Sequence, residues 1–148
     1  MKPNKSVKNR LFITLNLLIV GTSFLTNCTA RNSDIIEIGE RMFIGQVNEI
    51  YLNVGDYLGK TIKLEGIFKK SVYQDSTYYL VVRYGLDDCC GDANIGFEVR
   101  WPHFPTEYPA EYSWVEATGM LKQQGPYLFL ELSSLIVLDR RGSEFVRQ

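Results

Sequence analysis

The sequence predicts a mostly β fold: a small five-stranded barrel with one short helical turn, preceded by an export segment. Three observations predict it. Aromatic residues reach 13%, with nine Tyr and eight Phe, and such side chains suit half-buried pleated surfaces. Residues 61–69 and 94–101 alternate apolar and polar positions, the period of a strand with one face buried. Lys63-Leu64-Glu65-Gly66 and Glu116-Ala117-Thr118-Gly119 each set a Gly after such an alternation. An OB-like barrel curls its first and fourth strands at such points. An SH3-like barrel or an open meander shares part of this pattern; the paired Gly bends favour the OB-like arrangement.

The N-terminal segment predicts export. Lys2, Lys5, Lys8 and Arg10 form a basic start with no acidic residue. Residues 11–25 are then apolar except at Thr14, Asn16, Gly21, Thr22 and Ser23. As a helix they would span about 22 Å, short of the roughly 30 Å hydrocarbon core, so the segment reads as a signal peptide. Without those four basic residues, twelve of the sixteen remain against seventeen acidic ones, a balance of −5. An acidic domain lacks the electrostatic footprint of a nucleic-acid binder, and no nucleic-acid partner is expected.

The expected domain follows in order. Residues 28–40 read as a polar tether and residues 41–139 as the barrel domain. Gly39 and Gly45 break helical periodicity, so residues 41–46 read as a strand, with residues 48–58 as a turn holding a short helical piece. Asp56 to Lys60 reads as a helical turn closed by Gly59. The strand at 61–69 carries Ile62, Leu64 and Phe68 on one face, and Gly66 marks a bulge or sharp bend in it. Gln74-Asp75-Ser76-Thr77 is a turn before a β-rich run at 78–84. Residues 94–101 put Ile95, Phe97 and Val99 on one face, Pro102 ends that strand, and residues 103–111 form an irregular loop holding Pro105 and Pro109. Residues 113–122 and 127–138 are the last two strands, joined by a hairpin turn at Gln123-Gln124-Gly125-Pro126. The charged tail, residues 140–148, is expected to be loosely ordered.

Chemistry concentrates in Leu86-Asp87-Asp88-Cys89-Cys90-Gly91-Asp92. Three readings of the Cys pair stay open. Cys89 and Cys90 could be soft ligands for a metal, with His103 or one of Asp87, Asp88 and Asp92 completing the shell. Adjacent residues of a straight strand point to opposite faces, so this needs a turn, which the Asp and Gly residues favour. They could instead form a vicinal disulfide, or be buried, inert thiols. Phe68, Lys69, Lys70, Tyr73, Tyr79 and Arg83, with Arg100 and Trp101, could line a stacking groove, although such aromatics are more often barrel core or rim. No Gly-x-Ser-x-Gly, His-Glu-x-x-His or phosphate-cradling Gly loop occurs, so a binding module rather than an enzyme is expected.

Two resemblances refine these expectations. Leu25-Thr26-Asn27-Cys28 resembles a bacterial lipobox, with Asn27 departing from the usual small residue. It implies cleavage after residue 27, lipid on Cys28, and a membrane-anchored lipoprotein of the cell envelope. Met42-Phe43-Ile44, residues 57–62, Glu65-Gly66, Cys89-Cys90, Gly96-Phe97 and Trp114-Val115-Glu116 together resemble an OB-like domain family of no assigned activity. That domain is found as the soluble C-terminal part of bacterial two-component permease subunits and as free-standing lipoproteins. The resemblance covers residues 42–148. Asp92 departs from it, following the Cys pair after one intervening residue instead of two. It implies a partner membrane permease and a role in metal-ion transport, with zinc as the metal. The alternative is a structural or protein-interaction module of the envelope with no bound metal.

Overall fold

The fold was analysed in a computed structural model that describes residues 35–85, 93–103, 105 and 107–147. Arg31–Gln148 form one compact unit. The signal segment, Cys28 and the residues from Leu86 to Asp92 lie outside the described residues.

Five long strands build the barrel: β2 (Thr61–Tyr73), β3 (Ser76–Gly85), β4 (Ala93–Arg100), β5 (Trp114–Gln124) and β6 (Tyr127–Val137). Around the barrel they run β2, β5, β6, β4, β3, and β2 pairs with β3 to close the ring. All barrel pairings are antiparallel except that of β4 with β6. This is the OB arrangement, in which the third and fifth barrel strands lie side by side and parallel. Ile62, Leu64, Phe68, Val81, Phe97, Val99, Ala117 and Leu130 are buried inside it; Ile62, Leu64, Phe68, Phe97 and Val99 are positions the alternation assigns to one face.

The two Gly bends have different mechanisms. β2 pairs with β5 through residues 61–67 and with β3 through residues 67–73, so it turns from one neighbour to the other near Ile67. No register shift occurs there. A Cβ on Gly66 would stand 2.7 Å from the Val82 carbonyl oxygen, so Gly66 admits the backbone of β3. At the other Gly the register shifts between Thr118 and Gly119, and the bulged strand is β6, with Ser133 as the extra residue. At the β2–β3 turn, Gln74 and Asp75 both take positive φ, 46° and 62°, the geometry of a tight hairpin.

The N-terminal part differs from its sequence expectation. Residues 41–46 are not a strand: a 3-10 turn (Glu40–Met42) leads into helix α1 (Phe43–Leu52). Phe43, Ile44, Val47 and Ile50 are buried at helical spacing. A Gly in a helix interior costs up to about 1 kcal/mol, which this burial outweighs. Tyr51 stacks on Phe97 at 5.3 Å and donates a hydrogen bond to the Gly96 carbonyl, joining α1 to β4. Helix α2 (Val54–Tyr57) follows, and Gly59, at φ 77°, closes the turn as expected.

The expected tether and tail both contribute strands. β1 (Ile36–Ile38) pairs parallel with Ile62–Leu64 of β2, and β7 (Phe145–Val146) pairs parallel with Tyr84 and Gly85 of β3. The tail is therefore docked, not loose, with Val146 buried. β1 and β7 cover the stretch where β2 and β3 have separated from one another.

Candidate functional site

Two regions at opposite ends of β4 hold the candidate residues. At its start, Gly85 of β3 pairs with Ala93 of β4, so the segment bearing Cys89, Cys90 and Asp92 leaves and re-enters the barrel at one registered base. The Tyr84 amide donates to the Glu144 carbonyl of the tail, which braces that base. The three residues themselves lie outside the described residues.

His103 belongs to the other end. Ala93 to Arg100 is a run of eight residues, about 23 Å at the rise of a strand. His103 follows Arg100 by three residues and borders a groove with Leu132–Leu135 of β6. Since β6 runs parallel to β4, with Arg100 opposite Glu131, His103 stands at the end of β4 away from Ala93, where the Cys segment joins the barrel. Among the described residues, no group of three or more His, Cys, Asp and Glu side chains could hold a metal ion.

The groove beside His103 has a volume of about 730 Å³, within the range of ligand sites. Pro102 has no amide hydrogen for a sheet ladder, and β4 ends before it. The irregular chain that follows forms one wall with Trp101, His103, Pro105, Tyr108 and Pro109; Leu132–Leu135 and Val137 form the other. Among the described residues, Glu107 is the only acidic one in this lining, and none is Lys or Arg.

Four rings pack beneath the first wall. Tyr79 stacks on Phe68 at 5.7 Å and on Tyr108 at 4.6 Å, while Trp101 meets Tyr79 edge-on at 5.4 Å and Tyr108 edge-on at 5.2 Å. Hydrogen bonding with Tyr79 raises the Tyr108 phenol above its ordinary pKa, with a smaller contribution from burial. Phe68, Tyr79 and Trp101, three of the aromatic candidates for a base-stacking platform, pack against one another, while Trp101 and Tyr108 also border the groove. Three of the four basic candidates are engaged or buried. Arg100 reaches both oxygens of Glu98, at 2.6 and 3.3 Å, and lies over the Phe129 ring, while Lys69 bonds Asn94. Arg83 is buried elsewhere.

Sequence reasoning marked Trp101 and His103 but missed Tyr108 and the β6 wall. The Pro-rich run at 102–109 and the Ser133-Ser134 pair inside an apolar strand were the available signals.

Comparison with known proteins bears on the family. The family model described as the DUF1980 C-terminal domain matches residues 25–139, well over half of the chain. No curated protein matches. Among solved structures, a chain of a Replication Protein A heterotrimer bound to ssDNA is similar at 16% identity, with a TM-score of 0.35. The match covers 54% of this chain and 58% of that one.

Proposed function

The chain belongs to the DUF1980 C-terminal domain family, and from that premise we propose that it is an exported, lipid-anchored binding module that takes up a thiophilic metal ion. The ion is zinc, handled in support of a membrane permease, and the role is binding rather than catalysis. The observation that carries this reading is a vicinal thiol pair on a seven-residue segment whose base is registered at Gly85 and Ala93 and braced by β7. Cys89 and Cys90 supply the soft ligands, and carboxylates of the same segment (Asp87, Asp88, Asp92) supply the rest of the shell. His103, which borders the groove at the other end of β4, is left out of this proposed shell. A second reading, an envelope interaction module with no bound metal, is favoured by the open groove at the far end of β4.

Titration calorimetry on the reduced full chain in detergent tests the metal reading. About one equivalent of zinc should bind with release of protons, because thiols must ionise to ligate. Cys89→Ser and Cys90→Ser should each weaken binding at least about tenfold, a loss of about 1.4 kcal/mol, while His103→Ala leaves it unchanged. Absence of zinc uptake would remove the metal reading in favour of the second.

A further inference from the structure

The barrel has two open seams, and the chain treats them differently. At the first, β2 and β3 part company, and β1 and β7 pair onto the exposed strand edges. At the second, β4 and β6 part company. Their pairing comprises three residue pairs, Glu98–Arg100 with Phe129–Glu131. β6 continues to Val137, still paired with β5 on its other side, but among the described residues no strand pairs with Leu132–Val137 on the side β4 has left.

An open strand edge has a specific chemistry. Alternate residues direct a backbone N–H and C=O outward, a row of donors and acceptors that another extended backbone matches. This edge borders the groove, opposite Trp101 and Tyr108, which offer apolar surface to side chains of an added strand. Ile136 and Val137 are 50% and 53% exposed on the same stretch. A lining with one carboxylate and no Lys or Arg among the described residues complements a neutral or basic occupant.

We propose that the groove between β6 and the wall of Trp101, His103, Pro105 and Tyr108 is a peptide-binding site. It receives an extended, neutral or basic segment of a partner protein as an added strand on the Leu132–Val137 edge. Backbone pairing with β6 supplies the register, and alternate side chains of the guest enter the groove towards Trp101 and Tyr108. The guest occupies at the second seam the place that β1 and β7 occupy at the first. The site is separate from the Cys segment and stands whether or not zinc binds there.

The test uses the full chain in detergent and a synthetic pool of ten-residue peptides in which Val, Leu or Tyr alternates with Ser or Lys. Binding is read by fluorescence anisotropy. The tightest peptide is then resynthesised in two forms, N-methylated at its odd or at its even amides. Strand addition requires one form to lose at least about tenfold in affinity and the other to bind nearly as before, since only alternate amides face β6. The peptide should slow hydrogen exchange at amides of residues 132–137. Ala110→Trp, a surface substitution that fills the groove, should abolish binding while leaving the circular dichroism spectrum unchanged. The proposal is overturned if no peptide of the pool binds, if both N-methylated forms bind alike, or if Ala110→Trp has no effect. Direct binding of labelled chitotetraose with no peptide binding would make the groove a saccharide site instead.

Discussion

Among the described residues, Arg83 is the charged side chain with the least access to solvent, at 2% exposure. Its Nε donates to the Glu65 carbonyl at 2.9 Å and its Nη1 to the Ser143 carbonyl at 3.2 Å, with Glu40 at 3.6 Å. The guanidinium lies between the Phe43 and Trp114 rings, at 4.8 and 4.9 Å from their centroids. Burial lowers its pKa, while Glu40 and Glu65 oppose that shift. One side chain thus joins the segment before α1, strand β2 and the C-terminal tail. A buried cation is weak grounds for stability, but removing it strands the partners it satisfied. Arg83→Met should destabilise the protein by about 3 kcal/mol in urea unfolding. Arg83→Lys should recover little, because one ammonium on a flexible stem does not reproduce the planar fork between two carbonyls. A Met variant as stable as the parent would show that the packing, not the guanidinium, joins these segments.

At the scale of elements, local pattern and tertiary contact part company at the two ends of the domain. α1 contains the periodicity of a buried helix face, but Gly45 within it and Gly39 ahead of it suggest strand and turn. Burial of Phe43, Ile44, Val47 and Ile50 against the barrel decides for the helix, a gain no local window contains. β7 is more extreme. Two residues in a charged tail carry no strand signal, and they pair because β3 offers an uncovered edge at Tyr84 and Gly85. Deleting residues 140–148 removes Val146 from the core and the Ser143 carbonyl from Arg83. The truncated protein should lose about 2–3 kcal/mol and melt roughly 10 °C lower. An unchanged melting curve would mean that β7 adds nothing to the fold.

For the whole molecule, the proposed export and anchoring rest on the N-terminal segment; among the described residues no helix is long and apolar enough to cross a membrane. If Cys28 carries the anchor, labelled palmitate should enter the parent protein in a bacterial host and not Cys28→Ala; equal labelling would sink the lipoprotein reading. The barrel itself was legible from the sequence because alternation with period two assigns each strand residue a face without reference to its neighbour. The hairpins at 74–75 and 125–126 are short-range turns, and they too could be read locally. Partners across the barrel could not. That His103 shares a groove with Leu132–Leu135 follows from the parallel register of β4 on β6, set between residues some thirty positions apart. The sequence by itself determined the class of fold, the strand faces and the residues with chemical potential. The tertiary structure alone decided which of them meet, because closure of the ring, not local preference, fixes which strand edges are covered and which stay open.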